Sequence, residues 1–334
     1  MGVLIEGAWR EEELPQETGA AGEFKRVESA FRERITADGS SGYKAEAGRY
    51  HLYIAWNCPW AHRVLIFLAL KKLDKAFSVA YSIPGLREQG WTFEANPQFP
   101  DCTPDKLNGF RYLHQAYAAA EPRYTGKVTV PTLWDTKTRR IVNNESSEII
   151  RMLNSEFKGI AGDDTDYYPI ALRGEIDRIN DFVYTRINNG VYRCGFARSQ
   201  QAYDQAYDAL FGALDELEAR LGRNRFLVGD KATEADWRLF PSLVRFDAVY
   251  YVAYKCNLRR LEDYPNLSNY LRELYQTPGI AAACDIAGMK RGVYSKAGPV
   301  GANGIVPVGP TVDHRRPHDR ERFAAAAPRQ LADA

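Results

Sequence analysis

The chain has 334 residues, of which 45% are hydrophobic and 26% charged, and its formal net charge at pH 7 is +1. This length suits about two domains, each large enough for a core of its own. The near-neutral balance provides no broad field that attracts nucleic acid or an anionic membrane. The longest apolar runs, such as residues 64–70, are far shorter than the ~20 residues of a membrane span. We therefore expect a two-domain protein with neither kind of partner.

The five cysteines are scattered, with no Cys-x-x-Cys pair; they are Cys58, Cys102, Cys194, Cys256 and Cys284. This pattern is neither a disulfide framework nor a zinc-binding pattern. It favours a reducing cytoplasm and no metal. The first six residues contain no basic segment or cleavage-like site, so we also expect no secretory signal.

In chain order, residues 1–48 are rich in Glu, Gly, Ala and Ser and predict an extended arm on the surface. Residues 50–83 follow a strand–helix–strand pattern, which predicts a βαβ unit with parallel strands. A helix over 107–120 and a β-hairpin over 128–142 come next. An amphipathic helix that begins near Ser146 closes this α/β domain, for which we predict the bounds 49–155.

The second half of the chain has a helical pattern, with apolar residues at spacings of three and four. Four helices are predicted, at 170–187, 201–221, 234–251 and 266–276. Thr233 is a good N-cap residue, with the acidic Asp236 at the third helical position. We predict an all-helical domain over 168–288, then an extension over 289–334 that is partly disordered because it is rich in Gly, Pro and Ala.

Cys58 lies where the extended residues 50–56 meet the first helix. Free N–H groups and the positive dipole end of a helix stabilise a thiolate, and Pro59 fits the first helical position. The sequence therefore predicts a cysteine with a lowered pKa and a nucleophilic sulfur at neutral pH. Position 61 is Ala, so no nearby thiol can resolve a disulfide at Cys58, and a second molecule must do so. For His62 a packing or hydrogen-bonding role is favoured over that of a base, while Arg63 is free to point to solvent.

Two further features predict a ligand with amino-acid character. Val130-Pro131 interrupts the predicted hairpin, because Pro removes a ladder donor. A cis peptide there leaves the N–H and C=O of Val130 free to pair with an extended peptide, although cis X–Pro bonds are only about 5–6% of the total and Pro131 alone favours trans. At the next helix start we expect Ser146 to be the cap. That helix N-terminus can hold a carboxylate, and Glu145 beside it can accept from an ammonium group.

Several segments resemble the Xi-class glutathione transferases, the S-glutathionyl-hydroquinone reductases, over roughly residues 1–285. The resemblance is carried by the Cys-Pro-Trp-Ala-His-Arg sequence at 58–63 and the Asn-Glu-Ser-Ser-Glu-Ile-Ile-Arg-Met sequence at 144–152, and by residues 90–93, 130–135 and 188–192. It implies an α/β plus all-α fold: a thioredoxin-like N-terminal domain followed by the all-helical C-terminal domain of a glutathione transferase. It also implies a homodimer.

The same resemblance implies a glutathione site. Cys58 is the implied nucleophile and Val130 the backbone partner of the cysteinyl unit, while Glu145 and Ser146 hold the γ-glutamyl end. The implied contacts of the glycyl end are Trp91 and Lys127. Lys127 stands where some members have Arg, so it keeps the charge but loses the bidentate fork.

For the hydroquinone pocket, the resemblance implies that Tyr192 donates to the departing phenolate oxygen. The second pocket tyrosine of the family aligns with Val293, and only its neighbour Tyr294 is aromatic. Tyr294 is therefore our candidate for the substrate pocket, and the change at position 293 puts substrate contacts and catalytic efficiency in question.

The function implied is the glutathione-dependent reduction of glutathionyl-hydroquinones through a Cys58–glutathione mixed disulfide, with glutathione as co-substrate. One alternative is a glutaredoxin-like thiol transferase or dehydroascorbate reductase, which hydroxyethyl disulfide as substrate would reveal. Conjugation of glutathione to electrophiles is less favoured, because that chemistry uses a hydroxyl to stabilise the glutathione thiolate. A non-catalytic interaction module is a further alternative, since a fold does not fix a function.

Overall fold

The computed structural model describes residues 2–11, 17–83, 88–295 and 303–323. The strands are β1 (Val3–Ile5), β2 (Ala8–Arg10), β3 (Ile35–Thr36), β4 (Tyr43–Lys44), β5 (Tyr50–Ile54), β6 (Phe77–Tyr81), β7 (Gly126–Lys127), β8 (Thr132–Asp135) and β9 (Arg140–Asn143). The α-helices are α1 (Pro59–Leu70), α2 (Leu113–Ala120), α3 (Ser146–Ser155), α4 (Arg173–Val183), α5 (Gly190–Gly195), α6 (Gln200–Leu221), α7 (Glu234–Arg245), α8 (Tyr251–Ala253), α9 (Pro265–Gln276) and α10 (Ile286–Tyr294).

A four-stranded sheet in the order β6-β5-β8-β9 forms the centre of the N-terminal half. Strand β5 pairs in parallel with β6 and antiparallel with β8, so that Leu52 lies opposite both Val79 and Leu133. Every residue of β5 is buried, as expected of a strand that is covered on both faces. The predicted βαβ unit and the hairpin after it are confirmed.

The helix predicted over 107–120 begins only at Leu113. Before it, the carboxylate of Asp105 accepts hydrogen bonds from the N–H groups of Leu107, Asn108 and Phe110. Gly109 has a φ of +72°, which is outside the helical range. A carboxylate that binds the backbone just after itself stabilises a turn in place of a helix.

The predicted surface arm contributes to the core, so that expectation is wrong in part. Strand β1 pairs antiparallel with β7, and the side chains of Val3 and Leu4 are buried. Ile35 is also buried in the main core. Further along, the Phe31 N–H donates to the Asn144 side chain and the Asn144 N–H to the Phe31 carbonyl, both at 3.0 Å. The arm therefore follows the backbone just before α3. Residues 12–16 lie outside the described part of the chain.

The four long helices predicted in the second half are present, with two changes. Helices α4 and α7 each continue into a π-helical turn, over Tyr184–Asn188 and Phe246–Tyr250 respectively. Thr233 and Asp236 form the predicted capping box, in which the Thr233 N–H donates to Asp236 at 2.7 Å. Within the described residues, no helix is long and apolar enough to cross a membrane.

The C-terminal extension begins differently from the prediction, since α10 runs across the expected boundary at 288. Residues 303–323 are described, and their last turn packs on the helical domain through Arg320, whose side chain is fully buried. The Arg320 guanidinium donates to the carbonyls of Leu221, at 2.7 Å, and Asn224, at 2.6 Å, at the end of α6. Residues 296–302 and 324–334, which belong to the segment predicted to be partly disordered, lie outside the described residues.

We expect Arg320→Ala to lower the free energy of unfolding by about 3 kcal/mol, because it leaves buried carbonyls at the end of α6 without donors. Denaturant unfolding followed by circular dichroism measures the change. Arg322→Ala is the matched control: Arg322 lies in the same turn and its side chain is 44% exposed, so its exposed ion pair contributes at most about 1 kcal/mol. Equal losses in the two variants would contradict an anchoring role for Arg320.

Candidate active site

Cys58 is the N-cap residue of α1, immediately before Pro59 at the first helical position. Its Sγ accepts from the Ala61 N–H at 3.5 Å and donates to the Val130 carbonyl at 3.1 Å. Only 8% of the residue is exposed. The sequence therefore placed this cysteine correctly at a helix start, and the structure adds a second neighbour, Val130, from the loop before β8.

Burial raises the pKa of the Cys58 thiol above its ordinary value. The N–H groups of Ala61 and Trp60 and the charges of Arg245 and Arg26 act in the opposite direction, but they do not outweigh burial. The prediction of a lowered pKa is therefore wrong for this pocket. The helix-start effect is present, and desolvation of the sulfur is larger.

The Val130–Pro131 peptide bond is cis, which corrects the expectation from Pro131 alone. Strand β8 begins only at Thr132, so Val130 is outside the ladder. Its carbonyl faces Cys58, and its N–H has no hydrogen-bond partner among the described residues. Trp91 supports the same loop, since its Nε1–H donates to the Val128 carbonyl at 3.1 Å.

The cap of α3 is Glu145, not Ser146 as predicted. The Glu145 carboxylate accepts from the Ser147 N–H at 3.0 Å, from the Ser147 hydroxyl at 2.9 Å and from the Ser29 hydroxyl at 3.0 Å. Burial raises the pKa of Glu145, but the hydrogen bonds from Ser147 and Ser29 and the charge of Arg63 outweigh it, and the pKa lies below the ordinary value. This carboxylate is therefore held in its ionised form beside Ser146, the first residue of the helix.

Arg63 does not point to solvent. It is buried, and its guanidinium donates to the Asn188 side chain at 2.7 Å and to the Arg238 carbonyl at 3.1 Å. A third, longer contact of 3.5 Å reaches the Ser146 hydroxyl. Burial lowers the pKa of Arg63 to about 9. Arg63 thus connects α1 to the helical domain and places a cation behind the start of α3.

Lys127 lies on β7 and forms an ion pair with Glu17 of the N-terminal arm. Both side chains are largely buried, with exposed fractions of 16% and 11%. The pair lies on the wall of the cleft that contains Cys58 and Trp91. A carboxylate that binds Lys127 therefore meets a cation that already has an acidic partner in the same chain.

The cleft above Cys58 encloses about 1010 Å³, including open solvent at its mouth. Part of its wall is rich in aromatic side chains from the arm, α1 and the helical domain; the residues are Phe24, Trp60, Tyr192, Phe196 and Tyr254, and Val293 and Arg26 also line the cleft. Sequence reasoning found only Tyr192 and the change at 293. Phe24 and Arg26 lie in an arm without a periodic pattern, and Tyr254 follows the predicted end of a helix. No local sequence signal therefore indicated that these residues belong to the site.

Tyr192 lies on α5, and burial raises the pKa of its phenol to about 12. The hydroxyl is therefore a proton-bearing donor at neutral pH. Tyr294, in contrast, is not part of this cleft: its ring is buried and its hydroxyl donates to the Val249 carbonyl at 3.3 Å. The proposed pocket role of Tyr294 is wrong, and Val293 forms that part of the wall.

A second cleft, polar and of similar size, continues from the first past Glu145 and Ser146. Both clefts share Arg26, Val27, Trp60, Thr129 and Val130. The two form one continuous site: the polar cleft reaches the start of α3, the clefts meet at Val130, and Cys58 lines the first cleft together with the aromatic residues around Tyr192. Such a site fits a ligand with amino-acid character at one end and a ring at the other.

His62 has the hydrogen-bonding role that the sequence favoured. Arg245 donates to its Nδ1 at 2.7 Å, and because arginine can only donate, the ring proton lies on Nε2, 3.4 Å from the Cys284 sulfur. Burial lowers the pKa of His62 well below its ordinary value. Arg245 also donates to the Trp56 carbonyl at 2.8 Å and so supports the loop before Cys58. Nowhere in the described part of the chain do three or more His, Cys, Asp or Glu side chains form a metal-binding group.

Comparison with known proteins assigns both halves of the chain. Residues 57–156 match the model for the glutathione S-transferase N-terminal domain, and residues 200–273 match that for its C-terminal domain. The glutathionyl-hydroquinone reductase PcpF of Sphingobium chlorophenolicum is 50% identical over 310 residues, which cover 93% of this chain and 96% of that protein.

Two solved structures are similar over almost the whole length. The Xi-class transferase of Natrialba magadii has a TM-score of 0.89 and 41% identity, and covers 97% of each chain. The glutathione-bound structure of YqjG from Escherichia coli K-12 has a TM-score of 0.86 and 43% identity, over 96% of this chain and 99% of YqjG.

A four-stranded mixed sheet with a cysteine at the start of its first helix, followed by a helical domain, defines a glutathione transferase fold, and the two domain matches confirm it. More narrowly, the chain belongs to the Xi-class glutathione transferases, the family of the glutathionyl-hydroquinone reductases. The predicted fold and family are both confirmed.

We expect the Cys58 thiol of the unliganded protein to react with iodoacetamide with a higher pH midpoint than a short cysteine-containing peptide in the same tubes, because burial raises its pKa. Peptide mass spectrometry over a pH series separates Cys58 from the other cysteines. A midpoint below that of the peptide would show that the helix start outweighs burial.

Proposed function

We propose that this protein reduces glutathionyl-hydroquinones to hydroquinones at the expense of glutathione, with Cys58 as nucleophile. The observation that carries the proposal is the position of the Cys58 thiol in a cleft that has aromatic walls around Tyr192 and that continues, past Val130, into a polar cleft at Glu145. A glutathionyl-hydroquinone has the corresponding parts: a peptide, a sulfur and a ring. The name of the 50% identical PcpF and the glutathione bound to YqjG support the same substrates.

In the first step the Cys58 thiol gives up its proton and its sulfur attacks the sulfur of the conjugate. A sulfur–sulfur bond forms and the bond between sulfur and ring carbon breaks, with its electron pair passing to the ring. The ring carbon takes up one proton, and the products are the hydroquinone and a Cys58–glutathione mixed disulfide. This step needs a sulfur nucleophile, because a hydroxyl at position 58 could not form a disulfide with glutathione.

In the second step a second glutathione attacks its counterpart in the mixed disulfide. Its thiol proton is taken up by the Cys58 sulfur, oxidised glutathione leaves and the Cys58 thiol is restored. The ring is reduced and two glutathione sulfurs are oxidised, so electrons and protons balance over the cycle. Cys58 has no disulfide partner, and all five cysteines are free thiols, which suits a scheme with an external resolving thiol.

In this proposal the glutathione contacts extend over both clefts. The N–H of Val130, which has no hydrogen-bond partner among the described residues, and the Val130 carbonyl pair with the cysteinyl unit. The ionised Glu145 accepts from the γ-glutamyl ammonium, while Ser146 and the start of α3 hold its carboxylate. Trp91 and Lys127 contact the glycyl end, where the carboxylate competes with Glu17 for the lysine.

In the first cleft, Tyr192 donates a hydrogen bond to the oxygen of the departing hydroquinone. Its raised pKa keeps the proton in place until negative charge develops on that oxygen. The aromatic walls favour a ring-bearing substrate over small disulfides, and for this reason we place the reductase ahead of a glutaredoxin-like thiol transferase.

We further propose that residues 49–155 bind glutathione, that the helical domain over 168–288 binds the ring, and that the protein is a cytoplasmic homodimer. The free cysteines support a reducing compartment. The dimer rests on the resemblance to the Xi class.

Cys58→Ser should abolish release of menadiol from glutathionyl-menadiol, because the serine hydroxyl cannot form the mixed disulfide. Liquid chromatography measures the product, and intact-protein mass spectrometry should show the glutathione adduct in the wild type alone. Cys102→Ser is the control, since Cys102 is buried in a separate small cluster and should retain turnover. Turnover by Cys58→Ser would overturn the scheme, and faster turnover of hydroxyethyl disulfide by the wild type would favour the thiol transferase.

Lys127 and Glu17 should affect the KM for glutathione in opposite directions. Lys127→Gln removes the cation and should raise this KM about tenfold, as expected for loss of a charged hydrogen bond. Glu17→Gln removes the competing carboxylate and should lower it by roughly two- to fivefold. Steady-state kinetics with varied glutathione measures both. An equal rise in the two variants would show that the pair only holds the arm in place.

A further inference from the structure

Arg26 is a cation of the N-terminal arm that lies between aromatic rings at the junction of the two clefts. Its guanidinium carbon lies 4.8 Å from the ring centroid of Trp60, 4.7 Å from that of Tyr192 and 5.4 Å from that of Phe24. Its Nε–H donates to the Asn189 side chain at 2.9 Å. The arm, α1 and the helical domain therefore hold this side chain in one orientation.

The two terminal nitrogens of Arg26 have no hydrogen-bond partner, and the guanidinium no carboxylate partner, among the described residues. Four acidic residues from the described part of the chain line the two clefts: Glu17 binds Lys127, Glu145 binds Ser147 and Ser29, and the exposed Glu28 and Asp181 form no ion pair with Arg26. A guanidinium has five donors in a fixed plane. Arg26 is therefore a partly desolvated cation with donors available to a ligand and no counter-ion from the protein.

Its charge acts on the reacting groups. Arg26 is among the groups that lower the pKa values of the Cys58 thiol and of the Tyr192 and Tyr254 phenols, in each case against a larger effect of burial. These three groups surround the place where the ring of the conjugate would lie. Contact with aromatic faces stabilises a cation, but it leaves the in-plane N–H groups unsatisfied, and those groups require an acceptor.

The acceptor is not supplied by glutathione in the arrangement proposed above. Its γ-glutamyl carboxylate lies at the start of α3, and its glycyl carboxylate lies at Lys127. Arg26 stands between these two ends, on the side of Tyr192. The part of a conjugate that reaches this position is the ring and its substituents.

We propose that Arg26 forms an anion subsite that selects glutathionyl-hydroquinones whose ring carries an anionic oxygen near the reacting sulfur. This inference rests on the proposed function and extends it to a substrate class. A ring carboxylate or an ionised phenol satisfies the terminal N–H groups with charged hydrogen bonds, which are about twice as strong as neutral ones. In this arrangement Tyr192 donates to the oxygen of the departing phenolate, and Arg26 donates to the anionic substituent of the ring.

The test uses two conjugates that differ in charge alone: glutathionyl-2,5-dihydroxybenzoate and glutathionyl-2,5-dihydroxybenzamide. The wild type should prefer the carboxylate in kcat/KM by about tenfold or more, as expected for one charged hydrogen-bonded contact. Arg26→Gln should abolish that preference: turnover of both conjugates falls, because the charge of Arg26 also acts on Cys58, but kcat/KM for the carboxylate falls by about tenfold more than that for the amide. Arg26→Lys should restore part of it, because lysine keeps the charge and loses the planar fork.

A purely structural role of Arg26 predicts a different result, since loosening of the arm would slow both conjugates equally in Arg26→Gln. That outcome overturns the proposal. A rise in the KM for free glutathione as large as the loss of preference between the conjugates also overturns it, because it would assign Arg26 to a glutathione carboxylate. Absence of a carboxylate preference in the wild type overturns it as well.

Isothermal titration calorimetry measures the same preference without turnover. It compares the binding of the two conjugates to the Cys58→Ser protein with their binding to the variant that carries both Cys58→Ser and Arg26→Gln. If the wild type releases no hydroquinone from either conjugate, the proposed function fails, and the binding comparison still decides the anion subsite. Circular dichroism of each variant verifies that it is folded, and Arg26→Lys remains informative if Arg26→Gln does not fold.

Discussion

The contact between the Cys58 sulfur and the Val130 carbonyl, 3.1 Å long, is the constraint on which the rest of the site depends. It joins two segments that are separated by 72 positions in the chain: the first turn of α1 and the loop before β8. The central sheet brings them together, because β5 leads directly into the cysteine and pairs antiparallel with β8. The backbone of Val130 and the sulfur of Cys58 therefore face the same cleft.

Around this contact the protein arranges cations in a largely dry setting. Arg63 lies behind the start of α3, Arg245 supports the Trp56 carbonyl before the cysteine, and Arg26 covers the junction of the clefts from the arm. Burial raises the pKa of the Cys58 thiol of the unliganded protein, and the charges of Arg245 and Arg26 partly oppose it. Because the two effects oppose each other, the thiol is less reactive when the site is empty, and its pKa depends on the charge that a ligand adds to or removes from the site.

The N-terminal arm is part of the site and does not merely cover it. Glu17 pairs with Lys127, Ser29 donates to the Glu145 carboxylate, and Phe24 and Arg26 line the cleft that contains Cys58. These residues come from a segment without periodic apolar pattern, held by backbone pairing at β1 and at Phe31. The arm can therefore influence which ring substituents enter, while the sheet and α1 determine where the sulfur reacts.

Local sequence determined the elements whose cause is local: the helix start at Cys58-Pro59, the βαβ unit, the hairpin, the Thr233–Asp236 capping box and the long amphipathic helices. The motifs at 58–63 and 144–152 also identified the family, because they combine residues of both halves of the glutathione site. Only the tertiary structure decided the pKa direction of Cys58, the cap at Glu145, the burial of Arg63, the exclusion of Tyr294 from the cleft and the entry of Arg26 into it. Each of these depends on desolvation or on a partner that is distant in the chain. Neither effect can be recognised from the residues that are adjacent in the sequence.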